Sequence, residues 1–335
     1  MSIHPITLLL EKAIASRAPL FDSGHETAFR LFNGFTEGFP ALVADVYAHT
    51  LVLYDYADDP GSGKLVVEES LQYITTSLDW LRAGIVKTRN AITQEDRRGR
   101  FLFGTTVDRR IGEHGVRYAL DLRMNLDASF YPDTRMLRQW LAENMRGKTV
   151  LNTFAYTGSL GVAALAGGAS RVVQLDRSRR FLNLARDSYS LNGFPIHKQD
   201  FIAEDFHPAV ARLRRLKTTF DCVIVDPPFF SQTPNGRIDQ VNASARLINK
   251  VRPLLNDGGY LIAVNNALYV SGKEYMQTLQ ALCKDGYLKI LELIPVPDDI
   301  TGYERVGTLI TDPAPFNHPT KIAVLEVKRN NKETG

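Results

Sequence analysis

The run Asp226-Pro227-Pro228-Phe229-Phe230 carries the most specific chemistry in this chain. Two successive prolines stiffen the backbone as it leaves the apolar stretch Asp221 to Val225. An acid beside a rigid carbonyl can accept hydrogens from an exocyclic amino group or a base edge. A neighbouring aromatic can stack a planar ring, a contact worth ~1–3 kcal/mol per base. The plainer alternative is a strand cap with buried phenylalanines. Upstream, Asn152 to Gly161 (NTFAYTGSLG) sets a glycine turn between an apolar run and a helical stretch. Such a turn lets backbone approach a ligand closely, and the helix that follows offers free N–H groups to an anion. Asp176 ends the next apolar run, eighteen residues after Gly158. A carboxylate there can accept both ribose hydroxyls of a nucleoside-containing cofactor. Of the dinucleotide pattern G-x-G-x-x-G only Gly158 and Gly161 are present, and Gly63-Lys64 lacks the rest of a phosphate loop. A nucleoside cofactor other than NAD or ATP is expected; a glycine turn kept for packing is the alternative.

The elements that must position these residues alternate from residue 148 onward. Strands are expected at Thr149–Phe154, Arg171–Asp176, Phe201–Asp205, Asp221–Asp226 and Gly259–Val264, with helices at Leu160–Ala166, Arg179–Leu191 and Ala243–Leu255. That order predicts an α/β, Rossmann-like parallel sheet with helices on both faces, its ligand at the carboxyl ends of the strands. The earlier part reads differently. A helix within residues 1–20 is followed by short strands at Thr27–Phe32, Ala41–Val46 and Thr50–Tyr56, a helix at Lys64–Leu81 and a polar loop at Gln94–Arg100. Val116 to Leu126 reads as a strand or hairpin. The expected organisation is a small α+β domain over 1–114, suited to substrate or RNA recognition, and a second domain over 115–335.

Composition sets the outer limits. The 335 residues are 44% hydrophobic and 23% charged, which suits a folded chain of roughly two domains. Cys222 and Cys283 are too few for a disulfide scaffold and match no zinc spacing, so a reduced, cytoplasmic setting is expected. The seven histidines suggest no metal constellation: His197 and His207 stand ten apart, and His25-Glu26 lacks a second histidine. The uncharged stretch Thr149 to Ser170 is long enough to cross a bilayer, but polar residues and glycines interrupt it, and no membrane association is expected. Net charge is +3, unevenly spread: −7 over residues 1–81, +4 over 82–114 and +6 over 115–335. Arg97, Arg98, Arg100, Arg212, Arg214 and Arg215 are candidate phosphate contacts, with a solvated face as the alternative.

The series NTFAYTG, QLDRS, IAEDF and VDPPFFS resembles a class I S-adenosylmethionine-dependent methyltransferase in order and spacing over residues 125–330. Phe29 to Tyr47 and Asp127 to Arg135 (DASFYPDTR) narrow the likeness, over nearly the whole chain, to the large-subunit ribosomal RNA methyltransferases. The resemblance implies S-adenosylmethionine as cofactor and RNA as partner. It implies that Phe154, Ala155, Tyr156 and Gly158 line the methionine part, that Asp176, with Arg177 and Ser178 beside it, holds the ribose, and that Asp205 and Phe206 meet the adenine, Asp200 being the weaker candidate. Asp133 and Arg135 follow a hairpin over the cofactor, and the planar fork of Arg135 suits a carboxylate. Asp226, Pro227, Pro228 and Phe229 would act on the target base, with Phe230, Asn265 and Asn266 as substrate contacts.

Two departures from the family bear on this reading. No room is expected in this chain for the extra N-terminal RNA-binding module of many members, which favours the small-molecule alternative over RNA. Cytosine-C5 members present a cysteine where this chain has Val264-Asn265-Asn266, a pair resembling the guanine-N7 branch. Direct transfer to a base nitrogen without a cysteine intermediate is therefore expected. A small-molecule methyltransferase on the same fold and a non-catalytic RNA-binding protein are the alternatives, and a homodimer is carried as a candidate assembly.

Overall fold

The computed structural model describes residues 5–234, 236–241, 243–306 and 310–329. The chain forms two compact units, Met1–Asp133 with Pro297–Leu309, and Thr134–Val296 with Ile310–Gly335.

The first unit opens with helix α1 (Pro5–Arg17), strand β1 (Ala28–Asn33), the single turn α2 (Gly34–Glu37), and strands β2 (Leu42–Tyr47) and β3 (Thr50–Asp55). Helix α3 (Pro60–Ser77) begins before the expected Lys64, because the Asp59 carboxylate accepts the N–H of Ser62 and Pro60 takes the first helical position. Then come β4 (Ala83–Thr88), α4 (Gln94–Arg98) and β5 (Arg100–Phe103). The polar stretch expected as a loop is thus a capped helical turn, Thr93 accepting from Asp96 N, followed by an edge strand. The sheet runs in the order β1-β2-β3-β4-β5. Ile6 and Leu10 of α1 and Val67 and Ile74 of α3 are buried with Leu31, Leu53 and Val86 of the strands.

Strands β6 (Arg110–Glu113) and β7 (Val116–Ala119) form a hairpin around His114 and Gly115, both with positive φ, as tight hairpin turns require. The boundary expected at 114/115 falls inside this turn, between paired strands. The division lies at 133/134 instead.

In the second unit, α5 (Arg135–Asn144) leads into β8 (Thr149–Thr153), α6 (Ser159–Ala166), β9 (Arg171–Asp176), α7 (Arg179–Leu191), β10 (Phe201–Ala203), α8 (Phe206–Arg215) and β11 (Phe220–Val225). The hairpin β12 (Phe230–Thr233) and β13 (Gly236–Asp239) follows, then α9 (Ser244–Val251), β14 (Leu255–Asn265), α10 (Gly272–Cys283), β15 (Leu288–Ile294) and β16 (Lys321–Val327). The sheet order is β10-β9-β8-β11-β14-β16-β15. The first five strands pair in parallel, as expected, while β16 pairs antiparallel with both β14 and β15. Alternate residues feed opposite faces. Leu151, Val173 and Val223 pack with Leu213, Leu247 and Leu279, while Val150, Val172 and Ile224 pack with Leu137, Leu141 and Leu160. Helix α9 ends earlier than expected; a 3-10 turn holding Pro253 separates it from a longer β14.

The chain returns to the first unit through α11 (Asp298–Thr301). Buried Arg17 clamps this return: it pairs with Glu37 at 2.6 and 2.9 Å and donates to the carbonyl of Asp299 at 3.0 Å.

Candidate active site

Strand order reverses between β8 and β11, the point at which open α/β sheets bind ligands. Thr153 is level with both Leu175 and Val225, and Val225 with Ala263. The segments beginning at Phe154, Asp176 and Asp226 and the end of β14 therefore leave one edge of the sheet together.

The first segment is a shaped backbone turn. Phe154 and Tyr156 hold φ of +56° and +51°, a region side-chain-bearing residues seldom adopt, and Gly158 holds +78° as it enters α6. Asp176 fixes the turn: its Oδ2 accepts the N–H of Tyr156 at 2.9 Å and its Oδ1 that of Ser178 at 2.8 Å. Burial raises the Asp176 pKa, against the lowering effect of those two N–H groups. Each oxygen keeps a further lone pair, enough for a vicinal diol.

Behind the turn sits a residue that the motif reading passed over. Gln174, fully buried, accepts from Asn152 Nδ2 at 2.9 Å and donates to the Gly158 carbonyl at 3.2 Å. A Cβ on Gly161 would lie 2.1 Å from Gln174 Nε2, which explains glycine there. The signal in the sequence was a polar residue inside the apolar run VVQLD, since buried polar groups are almost always hydrogen-bonded.

The other expected cofactor residues fall into distinct places. Asp205 lies beyond β10 and caps α8, accepting from His207 N at 3.1 Å. Phe206 is buried and stacks on Phe154 at 4.6 Å between ring centroids, so it props the first turn from behind. Ala155 is buried, its N–H on the Leu175 carbonyl. Arg177 is exposed, and Ser178 caps α7. Asp200 is buried against Arg171 at 2.7 Å. Asp133 sits in a 3-10 turn at the end of the first unit, and Arg135 opens α5 of the second.

The Asp226 segment departs from the capping alternative. Phe229 and Phe230 are 45% and 50% exposed, and Pro228 is exposed as well. Pro227 is buried, and its carbonyl accepts Nε2 of Gln240. Gln240, itself buried, accepts the N–H of Asn266 at 2.6 Å through Oε1, and its own N–H donates to the Phe229 carbonyl at 3.2 Å. No motif pointed to Gln240. Asn265, expected to touch substrate, is fully buried. Its Nδ2 donates to the Gln240 carbonyl and Ser244 Oγ at 3.1 and 3.0 Å, and its Oδ1 accepts from Ala267 N at 3.0 Å. Its amide is consumed in holding the segment. Asn266 is half-buried, with an Oδ1 that has no hydrogen-bond partner among the described residues.

Neither cysteine reaches this edge. Cys222 is fully buried within β11, where burial pushes its thiol pKa up, and Cys283 ends α10. Among the described residues no group of three or more His, Cys, Asp or Glu is placed to hold a metal ion, and no helix is long and apolar enough to cross a membrane.

A family model described as S-adenosylmethionine-dependent methyltransferase matches residues 29–300. The chain belongs to that family. S-adenosylmethionine is its cofactor, and the chemistry at this edge is compatible with it: a glycine-bearing backbone turn beside the partly buried Asp176 carboxylate, whose oxygens keep free lone pairs. The methyltransferase is similar to a putative ribosomal RNA large subunit methyltransferase of Bacillus subtilis, 28% identical over 87% of this chain and 74% of that one. Ribosomal RNA large subunit methyltransferase I of Aeromonas salmonicida is 29% identical over the same shares. The K/L enzyme of Colwellia psychrerythraea is 29% identical over 71% of this chain but 34% of its own length. A putative methyltransferase from Streptococcus mutans shares the fold at a TM-score of 0.83 and 22% identity, with 98% of this chain and 82% of that one covered.

Proposed function

We propose that this methyltransferase transfers a methyl group directly to a nitrogen of an RNA base, in ribosomal RNA, in the cytoplasm. The observation that carries this reading is the register of β8 against β11. It brings the cofactor turn at Phe154–Gly158 and the half-exposed aromatics after Asp226 to neighbouring positions on one edge. The names of the relatives supply the RNA class. The cofactor supplies an activated methyl. The chain's own residues would orient the acceptor: Phe229 or Phe230 stacks an unpaired base, and the Asp226 carboxylate accepts a hydrogen bond from its edge, which would aim a ring-nitrogen lone pair at the methyl group that bound S-adenosylmethionine supplies. Orientation of this kind lowers barriers by ~7–11 kcal/mol.

The test uses ribosomal RNA from a strain lacking the protein, incubated with the full chain and labelled S-adenosylmethionine, then digested to nucleosides for mass analysis. An N-methylated base supports the reading. A label on cytosine C5, or RNA left unlabelled while a small metabolite takes up the methyl, overturns it. Asp226→Ala with undiminished methylation removes Asp226 from the role given to it.

A further inference from the structure

Because β16 runs antiparallel to β14, its first residue, Lys321, lies level with Asn265 at the edge where β14 ends. Lys321 is fully buried. Its Nζ donates to the Ala267 carbonyl at 3.1 Å and to the Pro319 carbonyl, both neutral partners. Burial alone acts on its pKa, pulling it down to about 8, and no carboxylate offsets that pull. A charge buried among carbonyls costs stability, and an apolar side chain of similar length would serve the core at least as well. What lysine adds is two donated bonds, and one of them reaches the turn after β14.

That turn is held from several sides. Gln240 Oε1 accepts the Asn266 N–H at 2.6 Å, and Asn265 Oδ1 accepts that of Ala267 at 3.0 Å. Thr311 Oγ1 donates to the Leu268 carbonyl at 2.7 Å. Amid these bonds one polar atom stands apart: Asn266 Oδ1 is buried and has no hydrogen-bond partner among the described residues. A buried acceptor left open is costly, so it calls for a donor that arrives from outside the fold. The Gln240 side chain that holds the Asn266 N–H through its oxygen holds the Pro227 carbonyl through its nitrogen, so Asn266 lies beside the segment that carries Asp226.

We infer that Asn266 Oδ1 accepts an N–H of the target base and that Lys321 is a positioning residue, fixing the Ala267 carbonyl so that this acceptor stays in place; the inference rests on the base-methylation reading above. Asn266 is then the contact, and Lys321 acts only through it. An unpaired base presents an N–H on its Watson–Crick edge, which a paired base has already engaged.

The experiment is a double-mutant cycle on the full chain, with Lys321→Met, Asn266→Ala and both together. It reads methyl-transfer kcat on ribosomal RNA from a strain lacking the protein, with the calorimetric Kd for S-adenosylmethionine alongside. Methionine keeps the apolar stem of lysine and removes both donors. Each single variant should transfer about tenfold more slowly, the size of one lost hydrogen bond to substrate, with the cofactor Kd within about twofold of wild type. The double variant should be no slower than the slower single, because both changes act on one contact. Losses that multiply in the double variant overturn the coupling of Lys321 to Asn266. Wild-type kcat in either single variant overturns it too, as does a cofactor Kd that weakens in step with kcat in Lys321→Met, which would make Lys321 a support of the whole edge. Each of these failures leaves the RNA reading intact, since the wild-type chain still methylates the RNA. A wild-type chain that leaves the RNA unlabelled overturns that reading and this inference with it.

Discussion

Gln240 Oε1 accepts the backbone N–H of Asn266 at 2.6 Å, and the same side chain donates Nε2 to the carbonyl of Pro227. One buried amide thus ties the end of β14 to the segment that carries Asp226. Truncation at Gln240→Ala leaves the Asn266 N–H and the Pro227 carbonyl without this partner, an expected stability loss of about 1–3 kcal/mol. The cofactor turn is built on other strands. The expected signature is methyl-transfer kcat down tenfold or more, with the calorimetric Kd for S-adenosylmethionine within about twofold of wild type. Gln240→Glu keeps the acceptor for Asn266 and loses the donor to Pro227, so it should fall between the two. Equal losses in kcat and cofactor affinity would mean that Gln240 supports the whole edge.

Asp176 gives a pH prediction. Burial places its folded-state pKa above the ordinary aspartate value of 3.8. The proton therefore returns to the folded protein earlier on acidification than to an ordinary aspartate. A protonated carboxyl accepts hydroxyls poorly, so S-adenosylmethionine affinity should fall as pH drops through that raised value. The effect on stability has the opposite sense. A raised carboxyl pKa means the folded state binds the proton more tightly, so its contribution is fully present below the unfolded pKa and is lost as pH rises through the folded one. Calorimetric titrations of wild type and Asp176→Asn from pH 4 to pH 7 check this. Asp176→Asn should bind at least about tenfold more weakly at neutral pH and lose the acid limb, and an identical acid limb in both would falsify the assignment.

Those two residues show where the sequence is legible and where it is not. Asp176 stands at the end of an apolar run, so its place at a strand's carboxyl end, and the architecture around it, could be read from periodicity and order. Gln240 lies in a polar stretch without periodic signal, and its role exists only because β14 passes nearby, a contact between residues 25 or more apart in sequence. Asn265 was misread for the same reason. A polar residue at a strand end resembles a ligand contact until its Nδ2 and Oδ1 are both found engaged. The unit boundary failed because Gly115 is a turn glycine inside a hairpin, and a turn within a domain has the same local composition as a linker between domains.

Cys222 and Cys283 test the chemistry. Cys222 is buried at the centre of the sheet with its thiol pKa pushed up by burial, so it is neither accessible nor readily ionised. Cys222→Ala with Cys283→Ala should lower the melting temperature by a few degrees through the small void in the core. Methyl transfer, measured well below that temperature, should stay within about threefold of wild type. Loss of transfer in the folded double variant, or a covalent protein–RNA adduct trapped by a 5-fluorocytidine substrate, would point to a cysteine intermediate instead.

Lys87 offers a last prediction, in the first unit. It is fully buried on β4 and donates to the carbonyls of Asn125 and Asp127, both at 2.9 Å. Burial pulls its pKa down to about 7, only partly offset by the Asp127 carboxylate. An unfolded lysine titrates at 10.5. Between those values the unfolded chain holds a proton that the folded chain has released, so stability should rise with pH across that window. A neutral amine still has two hydrogens, one for each carbonyl, so both bonds survive the loss of charge. Lys87→Met removes the titration and both bonds. The melting temperature of wild type relative to Lys87→Met should therefore climb between pH 7 and pH 10. A difference that stays flat or shrinks over that range would show that the ammonium keeps its proton inside the fold, held by the two carbonyls and Asp127 together.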